Sequence, residues 1–133
     1  MYRILIALAI VVMIAAGCKK EAGEGGTSTI TGKVTVHDYN GSFPFFYESY
    51  PAQEENVYII YGDATAGYDN RTRTSYDGSY RFDYLRKGDY RIFVYTDDTV
   101  NIFSLAQQPV IREVNISKNK STVEVPELII VKL

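Results

Sequence analysis

From Thr29 onward the apolar residues recur with a period of two, and this alternation restricts the possible fold more than any other feature. Ile30, Gly32, Val34 and Val36 alternate with Thr31, Lys33 and Thr35, the pattern of a strand with one face buried. Val57, Ile59 and Tyr61 form a second strand, with Tyr58 and Ile60 on its other face. Arg71 to Ser75 gives a short, polar third strand near an edge. Asp77-Gly78 is a hairpin signal, and Tyr80, Phe82 and Tyr84 alternate with Arg81 and Asp83 behind it. Lys87-Gly88-Asp89 turns the chain into Tyr90 to Tyr95. Val110 to Ile116 and Thr122 to Leu133 supply the last two strands, joined by a turn at Lys118-Asn119-Lys120. No segment longer than about ten residues has helical spacing. The expected fold is all-β: a single antiparallel β-sandwich of about seven strands over 29–133. Its expected core is Val34, Val57, Ile59, Tyr80, Phe82, Leu85, Tyr90, Ile92, Val94, Val114, Ile116, Val125 and Ile130.

Two longer insertions break the rhythm. Tyr39 to Gln53 carries Phe43, Phe45, Phe46, Tyr47 and Tyr50 with Pro44 and Pro51. Asp97 to Pro109 carries Ile102, Phe103 and Leu105. Loops of this length in a compact sandwich are functional or cover an open edge.

The N-terminus is of a different kind. Arg3 is followed by an unbroken apolar run, Ile4 to Ala16, then Gly17 and the chain's single cysteine, Cys18. A positive start, a short apolar stretch and small residues at a cleavage point are the parts of a secretory signal peptide. The run is thirteen residues, against the ~20 that a spanning helix needs. Ala15-Ala16-Gly17-Cys18 resembles the bacterial lipoprotein signal, with Ala15 where leucine is commoner. The resemblance implies removal of residues 1–17 and acylation of Cys18, which becomes the first mature residue and the membrane anchor. Residues 18–28 contain nothing large and apolar, and read as a flexible tether. Lys19-Lys20-Glu21 also looks like the charged tract of surface-exported lipoproteins of Bacteroidetes-type bacteria. The expected location is the cell envelope, as an outer-membrane lipoprotein, periplasmic or surface-exposed. With its only cysteine at the anchor, the domain has neither a disulfide nor a thiolate metal site within the chain.

The middle of the chain resembles the carboxypeptidase regulatory-like and Cna-B-like group of prealbumin-type sandwiches. The matching residues are Ile30-Thr31-Gly32-Lys33-Val34 and Asn56-Val57-Tyr58-Ile59, then Asp77-Gly78-Ser79-Tyr80-Arg81-Phe82 and Leu85-Arg86-Lys87-Gly88-Asp89-Tyr90-Arg91-Ile92. In that group an Asp-Gly turn, an aromatic strand and Leu-x-x-Gly-x-Tyr make a recurrent hairpin, and the resemblance implies a Greek-key sandwich. It reports fold, and that fold hosts many unrelated tasks. The last strand offers no asparagine to pair with Lys33, so the isopeptide cross-link of related pilin domains is not expected.

Composition narrows the chemistry by exclusion. The whole chain carries a net charge of −2 with its charges scattered, whereas a nucleic-acid binder shows a basic face. The only histidine, His37, has neither a second histidine nor a mature-domain cysteine to help it act as base or zinc ligand. Asp63, Asp69 and Asp77 do not form the closely spaced run that calcium needs, and Asp69-Asn70 and Asp77-Gly78 are turn residues. No serine stands in a nucleophile elbow. Neither an enzyme, a metal nor a cofactor is expected. Aromatic residues remain: 12 Tyr and 6 Phe without Trp, more than seven short strands need inside. The expected contact surface combines Phe43, Phe45, Phe46 and Tyr47 with Tyr58, Phe93 or Tyr95. The expected function is a lipid-anchored accessory module that binds or presents an envelope protein partner. The alternative is a carbohydrate-binding module that stacks a glycan on the Phe43–Tyr50 loop.

Overall fold

A computed structural model describes residues 21–133 except 42, 65 and 66. Cys18 and the whole signal segment lie outside the described residues. Nine strands follow one another: β1 (Glu24–Asp38), β2 (Glu48–Pro51), β3 (Asn56–Tyr61), β4 (Asn70–Arg73), β5 (Ser79–Leu85), β6 (Gly88–Asp97), β7 (Gln107–Ile116), β8 (Thr122–Glu124) and β9 (Leu128–Lys132). They form two facing sheets, an all-β sandwich.

The first sheet is built around β1. Its first half pairs with β5 antiparallel and β8 parallel, and its second half with β2 antiparallel and β9 parallel. The second sheet has the order β4-β3-β6-β7, all antiparallel. The sandwich is therefore antiparallel apart from β8 and β9. β6 lies beside β3 rather than beside β5, its neighbour in sequence.

Alternation places the core as expected. Every residue named above for it is buried, joined by Ile30, Val36, Ala52 and Leu128. Val57, Ile59 and Ile92 from one sheet and Ile30, Val34 and Leu128 from the other are completely buried.

Four expectations change. Residues 24–28 belong to the domain and not to the expected tether of 18–28, because β1 begins at Glu24 and Ser28 is buried with its hydroxyl donating to the Lys118 carbonyl at 2.9 Å. The number of strands is nine, not seven, because part of the first insertion pairs with β1 as β2 and the C-terminal strand is interrupted at Pro126. Proline has no N–H to give to a ladder. The turn at Asp77-Gly78 forms, with the Asp77 carboxylate accepting the Ser79 amide at 3.1 Å and hydroxyl at 2.6 Å, and Gly78 at φ 79°. Yet it does not close a hairpin: β4 belongs to the second sheet and β5 to the first. Likewise the turn at Gly88 carries the chain from β5 back to the second sheet, and a Cβ there would stand 2.7 Å from Ala22 Cβ.

The long axis of the sandwich has two distinct ends. At one, Gly23 meets Arg86 and Tyr90, and β6 starts beside Ala22. At the other, the Tyr39 amide donates to the Lys132 carbonyl and the Leu133 amide to Asp97 Oδ2. β6 runs from the first end to the second, ~30 Å for ten residues.

Candidate functional site: two aromatic surfaces

On the outer face of the second sheet, strand parity turns Tyr58 and Ile60 of β3 and Phe93 and Tyr95 of β6 away from the core. Tyr58 and Phe93 are cross-strand partners, and their rings stack at 5.0 Å and 15°. Tyr95 stands edge-on to both, 5.6 Å from each. Tyr68 leans over Tyr58 at 4.7 Å. Exposure rises from Phe93 (7%) to Tyr95 (39%) and Tyr68 (48%), so Phe93 is the floor and the tyrosines are the accessible part.

Tyr68 is fixed through its neighbour. The Asp69 amide donates to the Ile59 carbonyl at 2.9 Å, and the Asp69 carboxylate accepts the Tyr61 amide at 2.7 Å. Arg91, on the same face of β6, donates to the Ala64 carbonyl and ties the β3–β4 loop down. Arg71 is opposite Tyr58 in the β3–β4 register. Among the described residues its guanidinium has no ion pair, whereas Arg73 on the same strand faces Glu54 at 3.5 Å.

The other aromatic group belongs to the first sheet. Phe46 packs edge-on against His37 at 5.5 Å and Tyr39 at 5.9 Å, and Phe43 against Tyr39 at 5.1 Å. Phe45 and Tyr47 project outward, 76% and 63% exposed. Tyr50, at the end of this segment, is half-buried in β2 and donates to Asp38 Oδ2 at 3.1 Å. The seven expected contact residues therefore do not make one surface. Tyr58, Phe93 and Tyr95 come together with Tyr68 on the second sheet, and Phe43, Phe45, Phe46 and Tyr47 sit apart from them. Phe93 is buried beneath the tyrosines.

What accompanies Phe45 and Tyr47 is the β6–β7 loop. Both loops leave the same end of the sandwich, beside the C-terminal strand. That loop exposes Val100, Phe103 and Leu105 almost without cover, Phe103 at 93%, and Ile102 in part. Its start is shaped by Asp98, whose carboxylate accepts the Val100 and Asn101 amides at 2.9 and 3.2 Å; those two bonds hold the carboxyl below its usual range. Asp38, Glu48, Asp97 and Asp98 stand at the bases of the loops with Lys132 opposite Asp38, so this pole is apolar at its tips and acidic on balance at its root.

Among the described residues no three His, Cys, Asp or Glu side chains gather in a metal-binding arrangement. His37 is a packing partner of Phe46, partly buried on the first sheet.

No family model matches the chain, and no curated protein matches it. A crystal structure of a "putative carbohydrate binding protein" from Pseudomonas aeruginosa is similar over 84% of this chain and 92% of that one, at 11% identity and a TM-score of 0.46.

Proposed function

We propose that this chain is a non-enzymatic, lipid-anchored module of the bacterial cell envelope that docks a protein partner through the pole formed by its 39–47 and 98–106 loops. One observation carries the reading. Phe45, Phe46, Tyr47, Val100, Ile102, Phe103 and Leu105 are all exposed at one end of the sandwich, opposite the end that holds Ala22 and Gly23. With ~150–250 Å² for each aromatic side chain and the lower end of that range for the aliphatic ones, they offer on the order of 900 Å². This matches the ~800 Å² that each partner contributes to a standard interface, and exceeds what scattered surface residues leave open. The acidic root of the pole disfavours an anionic lipid surface and favours a partner with a basic rim. An acylated Cys18 on the outer membrane would hold the opposite end, so the pole would face away from the bilayer.

The test is crosslinking in the native membrane fraction. The wild-type chain should capture a partner that the Phe45→Ser, Phe103→Ser, Leu105→Ser variant loses, although both are retained equally in the membrane and unfold at the same temperature. An unchanged set of crosslinked partners refutes the docking pole. Mass spectrometry of the mature protein should find a lipidated Cys18 at the N-terminus; a mature chain starting elsewhere refutes the anchor.

A further inference from the structure

The tyrosine face of the second sheet is not explained by a docking pole at the end of the sandwich. Its size differs first. Tyr68, Tyr95 and the open part of Tyr58 expose roughly 200–300 Å² of ring, taking ~250 Å² for a whole tyrosine. A second copy of the chain or another protein would need ~800 Å². The accessible area fits one or two small rings instead.

We infer that this face is a binding site for an oligosaccharide that carries carboxylates, a chain containing uronic acid, seated on Tyr58, Tyr68 and Tyr95 with an acid group on Arg71. Three features support this chemistry. First, the faces of aromatic rings are negative and attract the slightly positive C–H groups that a sugar ring presents on its flat side. All the accessible rings are tyrosines, so each adds a hydroxyl that both donates and accepts at the rim, where a sugar's own hydroxyls lie.

Second, a positive charge with no ion pair among the described residues is in the right place. Arg71 is directly across from Tyr58, within the ~5 Å that separates opposed side chains of a ladder. A guanidinium fork takes a carboxylate through two parallel hydrogen bonds. The other cations near it are engaged: Arg73 with Glu54, and Arg91 with the Ala64 carbonyl. The nearest acid in the loop, Asp69, is occupied by the Tyr61 amide. Third, the site is held in place before any ligand arrives. Tyr58 and Phe93 are stacked on paired strands, and Tyr68 is fixed by the two Asp69 hydrogen bonds, so little side-chain freedom remains to be lost on binding.

The experiment titrates the mature chain with oligomers of galacturonate, glucuronate and mannuronate, with their neutral counterparts, and with oligo-dT. Tyrosine fluorescence and calorimetry are the readouts. At least one uronate oligomer should bind saturably, at least fivefold tighter than its neutral counterpart and more weakly as salt is raised. Tyr68→Ala and Tyr95→Ala, both on exposed rings, should each weaken the acidic and neutral sugars tenfold or more. Arg71→Gln should abolish the preference for the acid and leave the neutral affinity intact. Arg73→Ala should change neither by more than twofold. The proposal is overturned if the wild type binds none of the sugars, if oligo-dT binds better than all of them, or if binding survives Tyr95→Ala. None of these outcomes bears on the loop pole, which has its own test.

Discussion

Removing one oxygen atom, by Tyr90→Phe, tests how the N-terminal end of the domain is closed. Tyr90 is 1% exposed on the inner face of β6, with its ring edge-on to Tyr61 at 5.8 Å. Its hydroxyl accepts the buried Gly23 amide at 2.9 Å and donates to the Arg86 carbonyl at 2.6 Å. The Arg86 amide in turn donates to the Gly23 carbonyl at 2.8 Å. One side chain thus clasps the entry of β1, the end of β5 and the start of β6. Phenylalanine keeps the ring and leaves no cavity, so the transfer and cavity contributions stay near zero. What is lost is two hydrogen bonds, ~1 kcal/mol each, one of which leaves a buried N–H without a partner, an omission worth about 1–3 kcal/mol. The expected destabilisation is about 2 kcal/mol, or roughly 8 °C in Tm at ~4 °C per kcal/mol for a domain of this size. Urea unfolding followed by circular dichroism should show a lower midpoint with an unchanged m-value. Hydrogen exchange should accelerate selectively at Gly23 and Arg86. Tyr76→Phe, at a ring 81% exposed, is the control and should change stability by less than ~0.5 kcal/mol. A Tyr90→Phe effect as small as the control's, or unchanged exchange at Gly23, would falsify the clasp.

Two further outcomes follow from the packing. Gly32→Ala should destabilise the domain by about 1–3 kcal/mol through overpacking, because the new Cβ would stand 2.4 Å from the Tyr80 hydroxyl and 2.6 Å from its Cζ. Adding Tyr80→Phe should rescue it only in part, since the Cζ contact remains; full rescue, or an innocuous Gly32→Ala in urea unfolding, would show that the ring can move aside. The second outcome is alkaline sensitivity. Burial, with the Glu24 carboxylate adding to it, pushes Tyr61 up to about 12 from the ordinary value of 10.0, and burial also raises Tyr80 and Tyr90. These tyrosines stay neutral in the fold where the unfolded chain begins to ionise, so their contribution is complete below pH ~10 and is lost as the pH rises through ~12. The urea midpoint should fall across that window, with part of the tyrosinate absorbance appearing only on unfolding; a flat midpoint between pH 9 and 12 would contradict the burial argument.

What could be read from the sequence was whatever depends on local periodicity. The core followed from strict alternation, and so did the outward parity of Tyr58, Phe93 and Tyr95. Parity says which way a ring points, however, and not how far its neighbours rise around it, so Phe93 gave no sign of being the floor. Tyr68 lies in a loop with no periodic signal, and only its anchoring through Asp69 brings it over Tyr58. The glycines at 23, 25 and 26 looked like tether composition, yet a Cβ at Gly26 would lie 2.0 Å from the Leu85 carbonyl oxygen. Close backbone approach requires the residue that flexibility also favours, and composition cannot separate the two. The turns at Asp77-Gly78 and Gly88 were visible from their chemistry, but the sheet that receives the next strand is set by non-local pairing.

β6 carries a core row and an outward aromatic row on one segment. Tyr90, Ile92 and Val94 fill the core, while Phe93 and Tyr95 between them build the outer face, and the strand's last residue, Asp97, opens into the apolar loop. A slip of one residue would exchange the two sets, bringing Phe93 and Tyr95 inward and Ile92 and Val94 out. The register is held at both ends against that slip. At the first end the Asn115 amide group donates to Asp89 Oδ1 at 2.7 Å. At the second the Val131 amide donates to the Thr96 hydroxyl at 2.7 Å, which also ties β6 to β9 of the facing sheet. Asp89 lies at the far end of the outer row from Phe93 and Tyr95, and Thr96 closes the inner row beyond Val94. Substitutions at Tyr95 can therefore alter what the face binds without loosening the packing beneath it, whereas a change at Thr96 should disturb both.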